Sequence, residues 1–300
     1  MTDEIEPTEP SPTDREAAAV NQARVRTALA RSTFADVRWL AQTGSTNADV
    51  MELARQGEAE GIVVVADHQH AGRGRRGRTW DAPRGASLMF TTLLRPPSAV
   101  AGLATMAMAV AAAGAVEELT GVRPGLKWPN DLVWPGDGSA ADRKLAGILA
   151  EADWPAASNI TAGWSEPKPT DRVVVAVGMG MNVAWAGRTP DDLVDRAVAL
   201  DEITAPEAAP DRADLLVAVL GQLDRWYTTL REPDGAAALM AEWRERSATL
   251  GRQVRVELGV DDLVGRAVDV TDAGHLVVDT LEGERRTVAV GDVVHLRPIA

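Results

Sequence analysis

Cysteine is absent from this 300-residue sequence. Its absence excludes a disulfide framework, a thiolate zinc site and a cysteine nucleophile, and it is compatible with a cytoplasmic protein. Long apolar runs are also missing: the most apolar stretch, residues 99–116, is interrupted by polar residues and glycines. We therefore predict a buried core helix there, ending at Gly121, and no membrane-spanning segment. The first residues are acidic and rich in proline, which excludes a signal peptide.

Lysine is scarce, since only Lys127, Lys144 and Lys168 occur among the 31 basic residues. A coding bias that replaces lysine by arginine explains the scarcity. Under such a bias, lysine persists where a planar guanidinium does not fit. Lys127 and Lys144 are therefore candidate functional residues, whereas Lys168, between two prolines, is predicted to lie in a loop. The net charge of −13 argues against general binding of nucleic acid or of an anionic membrane.

Hydrophobic spacing divides the chain into three parts. Residues 1–20 are predicted to be a disordered tail. Residues 21–248 combine helical and strand patterns, including a helix capped by Ser45 or Thr46. Residues 249–300 carry short alternating segments separated by turns, which predicts a small all-β barrel or sandwich. Residues 152–171 are irregular, and we have no functional interpretation of them.

Four arginines and three glycines alternate in the loop 71–79, which follows a predicted strand. Glycine lets the backbone approach a ligand, and guanidinium groups bind carboxylates and phosphates. We therefore predict an anion-binding lid that orders on binding. The run Gly72-x-Gly74-x-x-Gly77 also fits a dinucleotide fingerprint, but residues 78–83 do not begin the helix that this fingerprint requires. A solvated basic turn and an arginine–glycine segment for nucleic acid are the alternatives.

Two further segments place polar side chains near predicted strand ends. Lys127, Asn130 and Asp131 lie in the first segment, and Lys144 begins the second. Asn130 and Asp131 either cap a turn or serve a nucleotide phosphate and its magnesium. Gly147, inside the second predicted strand, indicates close approach of a ligand or of another backbone.

Five motifs occur in the order and at the spacing of one family. They are Gly44–Asn47, Gln69–Trp80, Lys127–Leu132, Arg143–Leu149 and Gly178–Val183. Together they resemble the bacterial biotin–protein ligases of the BirA type. The resemblance implies an α+β fold whose mixed β-sheet with packed helices is like the class II aminoacyl-tRNA synthetase and biotin ligase catalytic domain. It also implies that residues 21–248 form a biotin- and ATP-binding catalytic domain and that residues 249–300 form a C-terminal SH3-like β-barrel domain.

The resemblance also implies roles for individual residues. The biotin-binding residues would be Ser45, Thr46, Asn47, Gln69, Gly72, Arg73, Gly74, Arg75, Lys144 and Gly147, with Ser45, Thr46 and Gln69 at the ureido ring. The ATP-binding residues would be Arg75, Arg76, Arg78, Trp80, Lys127, Asn130, Asp131 and Asn182. Arg75 and Lys144 are the catalytic candidates, because fixed cations reduce the repulsion between a carboxylate and a triphosphate. Trp80 would shield the adenylate from water.

The implied activity uses ATP to convert biotin into biotinyl-5′-AMP and then passes biotin to a lysine of a biotin carboxyl carrier protein. Mg²⁺ is expected to be held mainly by the ATP phosphates. Only 43 residues precede Gly44, so we predict no winged-helix domain, no binding to DNA and no repressor activity. We expect a cytoplasmic monomer or weak homodimer. The alternatives are a lipoate or octanoate ligase of the same superfamily, and a non-catalytic protein that binds biotinyl-AMP or another anion.

Overall fold

A computed structural model describes residues 9–135, 141–153, 168–205, 209–258, 262–289 and 291–295. The helices are α1 (Pro12–Ala28), α2 (Thr46–Arg55), α3 (Ser98–Ala101), α4 (Ala104–Thr120), α5 (Leu200–Ile203), α6 (Arg212–Thr229) and α7 (Gly235–Glu245). The first seven strands are β1 (Val37–Leu40), β2 (Val63–Ala66), β3 (Ser87–Leu94), β4 (Gly125–Lys127), β5 (Asp131–Trp134), β6 (Arg143–Asp153) and β7 (Val174–Asn182). The last five are β8 (Gln253–Glu257), β9 (Asp262–Val270), β10 (Leu276–Thr280), β11 (Arg285–Val288) and β12 (Asp292–His295).

Strands β1 to β7 form one mixed sheet in the order β1-β2-β3-β7-β6-β5-β4. Only β1 and β2 are parallel, and every other neighbouring pair is antiparallel. Helices pack on this sheet, so the predicted α+β fold is confirmed. Strand β7 includes the whole Gly-Met motif of residues 178–181.

Strands β8 to β12 form a second, antiparallel sheet in the order β11-β10-β9-β8-β12. This arrangement agrees with the predicted SH3-like architecture, whereas the boundary between residues 248 and 249 stays a prediction. Side-chain contacts join the second sheet to the first part of the chain, and two of them involve buried groups. The buried indole of Trp128 donates to the Gly274 carbonyl at 2.9 Å, and His295 Nδ1 lies 2.8 Å from the Asp142 carboxylate.

Helix α1 corrects the prediction that residues 1–20 form a disordered tail. The Asp14 backbone N–H donates to Ser11 Oγ at 3.2 Å, and the Asp14 carboxylate accepts the Ser11 N–H at 3.0 Å. This capping box, with Pro12 in the first turn, is a helix-start signal that outweighs the acidic and proline-rich composition. The first eight residues of the chain lie outside the described residues.

Helix α1 also covers the free edge of strand β1. Gln22 Oε1 accepts the Trp39 backbone N–H at 2.9 Å, and Arg26 Nε donates to the Val37 carbonyl at 2.8 Å. Val25, between these two side chains in sequence, is fully buried. The contacts satisfy backbone groups that an edge strand otherwise presents to another chain.

Helices α4, α6 and α7 cover one face of the first sheet and share its main hydrophobic core. The predicted core helix is confirmed, although Gly102 and Leu103 separate a short α3 from α4. Helix α4 ends at Gly121, whose φ of 73° is the left-handed conformation that glycine favours. In the described part of the chain, no helix is both long enough and apolar enough to cross a membrane.

Candidate active site

A cleft opens over strands β6 and β7, bounded by the start of α2, the loop 71–79 and the turn between β4 and β5. It encloses about 980 Å³ of empty space, including the part open to solvent. The structure brings most of the predicted site residues together in its wall: Ser45, Thr46, Asn47, Gln69, Arg73, Gly74, Arg75, Arg78, Trp80, Lys127, Asn130, Asp131, Lys144 and Gly147. Asp292, which begins β12, completes the wall from the second sheet.

One group of polar side chains in the cleft carries no charge, and we call it the neutral end. It consists of Ser45, Thr46, Asn47 and Gln69. Ser45, Thr46 and Asn47 are buried where α2 begins. Gln69 Oε1 accepts the Thr46 backbone N–H at 2.8 Å, so the loop after β2 is fixed to the start of the helix. The Thr46 hydroxyl lies 2.8 Å from that of Thr91, which donates to Asn47 Oδ1 at 2.6 Å.

Gln69 keeps hydrogen-bonding capacity for a ligand. Its Nε2 group donates to Met89 Sδ at 3.4 Å, and a thioether is a weak acceptor. In the described residues, the Ser45 hydroxyl makes no cap bond to its helix. The neutral end therefore combines an amide donor with nearby hydroxyl groups, an arrangement suited to a neutral ligand that has both donors and acceptors.

Glycines in neighbouring strands form the floor of the cleft. Gly147 of β6 pairs with Gly180 of β7, and Gly178 lies two residues before Gly180. A Cβ atom at Gly180 would overlap the Trp80 indole, and one at Gly178 would overlap the Asn47 carboxamide. Glycine is required at these positions because the side chains above lie directly against the strand backbone.

Two lysines line the cleft, Lys127 at the end of β4 and Lys144 near the start of β6. Lys144 Nζ lies 2.7 Å from an Asp131 carboxylate oxygen and 5.5 Å from the centre of a Trp80 ring. Burial lowers the pKa of Lys127, although the nearby carboxylates of Asp131 and Asp142 oppose the shift. We call Lys127, Asp131 and Lys144, together with the arginines of the loop, the charged end of the cleft.

The loop 71–79 folds back on itself over the cleft. The Trp80 backbone N–H donates to the Gly72 carbonyl at 3.0 Å, and the Gly74 backbone N–H donates to the Arg78 carbonyl at 2.7 Å. A single 3₁₀ turn spans Arg75–Gly77 at its tip. The predicted ordering of this lid on binding an anion stays a prediction, since the loop already has these contacts without a ligand.

Two carboxylates hold the lid arginines. Arg73 lies 3.4 Å from Glu151 of β6. Arg75 and Arg78 lie 3.0 Å and 3.2 Å from the Asp292 carboxylate, whose side chain is only 14% exposed. The Arg73–Glu151 pair is the more exposed of these, and ion pairs at exposed sites contribute roughly 0–1 kcal/mol, so an incoming anion can replace it at small cost.

Asn182 lies outside the wall of the cleft that the described residues form. It is 1% exposed, and its Nδ2 donates to the Lys144 carbonyl at 3.3 Å and the Val198 carbonyl at 3.1 Å. Asn182 therefore supports the backbone that carries Lys144, and its contact with ATP stays a prediction.

Gly72 and Arg76 are also absent from the cleft wall in the described part of the chain. A side chain at Gly72 would overlap the Trp80 carbonyl, so this glycine permits the loop to close on itself. Arg76 has a φ of 56° and lies 3.5 Å from the Asp292 carboxylate. The ligand contacts expected of Gly72 and Arg76 stay predictions.

The sequence interpretation missed Gly178, Gly180, Thr91, Glu151 and Asp292. The two glycines lie inside a motif that had been singled out, and glycine within a strand is a signal for close approach. The other three have no local signal. They reach the cleft region because strand register and the packing of the second sheet bring them there.

Comparisons with known proteins agree on one family. The Biotin/lipoate A/B protein ligase family matches residues 39–157, and the Biotin protein ligase C terminal domain matches residues 249–296. The chain is 38% identical over 266 residues to the biotin--[acetyl-CoA-carboxylase] ligase of Mycobacterium tuberculosis, covering 86% of this chain and 88% of that protein. It is 32% identical over 254 residues to the enzyme of the same name from Paracoccus denitrificans, covering 80% and 92%. The structure of Aquifex aeolicus biotin protein ligase in complex with biotin and ATP matches with a TM-score of 0.68 and 27% identity, over 88% of this chain and all of that one.

Proposed function

Because this chain belongs to the biotin protein ligase family, we propose that its cleft joins biotin to ATP and delivers biotin to a carrier lysine. One observation carries the assignment of the cleft: a neutral, hydrogen-bonded end and a cationic end share one glycine floor. Biotin has the matching two-part chemistry, a neutral ureido ring at one end and a carboxylate at the other. The cleft thus suits both the recognition of biotin and its activation.

We place the ureido ring at the neutral end. The Gln69 Nε2 group can donate to the ureido carbonyl, while Ser45 and Thr46 supply hydroxyl groups for the ring nitrogens. Asn47 stands behind them, because its carboxamide is already bonded within the protein. The Trp80 indole lies directly against Gly147 and Gly180, so we place the substrate beside this side chain.

The charged end brings two anions together. The carboxylate oxygen of biotin attacks the α-phosphorus of ATP, the bond to the bridging oxygen breaks, and pyrophosphate leaves. We assign Lys144, Arg73 and Arg75 to the carboxylate and the α-phosphate, where their charges stabilise the charge that develops on the phosphate. Lys144 is the compact cation of this group, and Asp131 on the neighbouring strand β5 holds it.

We assign the rest of ATP to Arg78, Lys127, Asn130 and Asp131. Among the described residues, no group of three or more acidic or histidine side chains is arranged to hold a metal ion. We therefore propose that Mg²⁺ arrives with the ATP phosphates, with Asn130 and Asp131 facing it. When bound, Mg²⁺ would neutralise part of the triphosphate charge.

The second step is an acyl transfer. The uncharged amine of a carrier lysine attacks the biotinyl carbonyl of the mixed anhydride, an amide forms, and AMP leaves. Trp80 and the lid keep water from the anhydride until that lysine arrives. We propose that the acceptor is the biotin carboxyl carrier protein of a carboxylase and that the enzyme acts in the cytoplasm as a monomer or weak homodimer.

The test is incubation of the purified chain with labelled biotin, ATP, Mg²⁺ and a carrier domain. We expect label on the carrier, and no label on a matched carrier in which arginine replaces the acceptor lysine. Incorporation of labelled lipoate in place of biotin would contradict the substrate assignment. Binding of biotinyl-AMP without any transfer would contradict the catalytic one.

A further inference from the structure

Behind the wall of the cleft, Thr91 and Glu151 extend the hydrogen bonds of the neutral end. We infer that these two side chains are positioning residues that make the Thr46 hydroxyl a hydrogen-bond acceptor toward the ligand. This inference rests on the proposed placement of the ureido ring at the neutral end. It assigns a role to two residues that contact the ligand only through others.

The chain of hydrogen bonds begins at Glu151. Asn47 Nδ2 donates to Glu151 Oε2 at 2.8 Å and lies 3.3 Å from the Leu149 carbonyl oxygen. A carboxylate and a carbonyl can only accept, so the nitrogen of the Asn47 amide must face both of them. Arg73 lies 3.4 Å from the other Glu151 oxygen. The amide oxygen of Asn47 therefore faces Thr91.

The orientation of the Asn47 amide fixes which group Thr91 donates to. Its Oγ1 lies 2.6 Å from Asn47 Oδ1, which has no hydrogen to give. Thr91 must donate its only hydrogen to Asn47. The contact of 2.8 Å between Thr91 and Thr46 can then be a hydrogen bond only if Thr46 is the donor.

The Thr46 hydroxyl oxygen is therefore left to accept a hydrogen bond from a ligand. Its single hydrogen is used on Thr91, and Gln69 Oε1, at 3.2 Å, already receives the Thr46 backbone N–H at 2.8 Å. The Thr46 oxygen retains a lone pair beside the amide donor of Gln69. This acceptor and donor match the N–H and C=O of a ureido group. A ligand with oxygen in place of the N–H would set lone pair against lone pair.

Because these side chains are buried, the donor-to-acceptor direction of their hydrogen bonds is important. Thr91 is fully buried, and Asn47 is 5% exposed. Strand register places Thr91 opposite Gly178, where a Cβ atom would overlap the Asn47 carboxamide. Without water to exchange partners, a reversed or missing hydrogen bond is not compensated. We therefore expect this chain to discriminate strongly between ligands that present an N–H and those that do not.

The test compares biotin with its two carbamate analogues, in which either ureido N–H is replaced by oxygen. The readout is the ratio of kcat/KM for biotin to that for each analogue. Thr91→Val removes the hydroxyl at constant shape and should lower the preference for biotin by about tenfold. Thr91→Ser keeps the hydroxyl and should retain the preference. Thr92→Val is the matched control, because the buried Thr92 hydroxyl has no hydrogen-bond partner among the described residues.

Glu151 provides a second variant on a more exposed side chain. Glu151→Gln introduces a donor, which allows the Asn47 amide to reverse, and it should also lower the preference about tenfold. Glu151→Asp, which can only accept, should restore part of it. Since Glu151 is half-buried, this variant tests the inference even where Thr91→Val fails to fold.

The outcomes separate the inference from the proposed site. An unchanged preference in Thr91→Val and Glu151→Gln, with a raised KM for biotin in Thr46→Val, would overturn the inference and leave the site standing. An unchanged KM for biotin in Thr46→Val would overturn the placement of the ureido ring, and the inference would fail with it.

Discussion

At the neutral end of the cleft, Thr46 is 3% exposed and its partners carry no charge, whereas at the charged end the Arg75 and Arg78 side chains are 24% and 69% exposed. The neutral end is a closed set of short hydrogen bonds that resists rearrangement. The charged end is a set of ion pairs that solvent partly screens and that a ligand can exchange. One end is built to orient a substrate, and the other is built to accept changing charge.

Lys144 and the neutral end contact different parts of strand β6. Asn47 contacts the strand at Leu149 and Glu151, while Lys144 lies near its start and its ammonium reaches over Gly147. Leu149 lies five residues after Lys144, which is about 16 Å along an extended chain. An elongated substrate can therefore be held by its ring at one end while its carboxylate reacts toward the other. Changes at either end should affect different kinetic constants.

Lys144→Arg should have the largest effect. The wider guanidinium cannot take the position of a compact ammonium beside Asp131, so stabilisation of the reacting phosphate is lost. We expect kcat for adenylation to fall by about 10²–10³-fold, with the Kd for biotin changed much less. Pyrophosphate exchange measures the rate, and calorimetry measures the binding of biotin.

Lys168→Arg is the matched control for this substitution. Lys168 is exposed in the turn before β7, where either cation serves, so activity should not change. Equal losses in biotin binding and in kcat for Lys144→Arg would contradict a division of labour between the two ends.

Gln69→Leu should have the next largest effect, now at the neutral end. It removes the amide donor and the acceptor for the Thr46 backbone N–H, at nearly constant volume. We expect KM for biotin to rise by about 10–100-fold, since each unmade buried hydrogen bond costs roughly 1–3 kcal/mol. KM for ATP should stay within a factor of about 2 of the wild-type value, because no charge changes. A matching rise in KM for ATP would contradict the separate roles of the neutral end and the charged end.

Local sequence patterns predicted the parts of the cleft that they encode directly. The alternation of glycine and arginine in residues 71–79 led to the lid, and the survival of Lys144 among so many arginines led to the charged end. Periodicity located α2 and the strands of the second sheet, because each has a regular apolar face. These features depend on neighbours along the chain, which is why sequence reasoning reached them.

Contacts set by long-range packing could not be predicted in the same way. Asp292 meets the lid because the second sheet packs beside the cleft, and Thr91 reaches Asn47 through the register of β3 with β7. Asn182 belongs to a motif of the cleft, yet it lies at the end of β7, bonded to backbone carbonyls. The helix at residues 12–20 is different, because its capping box was visible in the sequence and was outweighed by composition.

Ionic strength should separate the two ends by a smaller amount. Raising the salt concentration from about 0.1 M to about 1 M shortens the Debye length from about 10 Å to about 3 Å. KM for ATP should rise several-fold, because exposed arginines attract the triphosphate. KM for biotin should rise by a smaller factor, because the ring of biotin is held at the uncharged neutral end. Equal salt dependence of both constants would show that charge, not hydrogen bonding, dominates at both ends.

Lys127 sharpens the comparison through pH, because burial lowers its pKa below the ordinary value of 10.5. As the pH rises toward 10.5, Lys127 loses its proton earlier than an exposed lysine, and KM for ATP should increase by a few-fold while KM for biotin stays constant. Lys127→Met should show the raised KM at neutral pH and no further rise from this group.

The free energy of unfolding should increase over the same pH range in which the affinity for ATP falls. In this window the unfolded chain binds more protons than the folded one, so the wild-type free energy of unfolding increases with pH relative to Lys127→Met, as the cost of burying the ammonium disappears. Kinetics and urea unfolding at matched pH values measure the two trends, and a parallel fall of ATP affinity and stability would assign Lys127 to the fold alone.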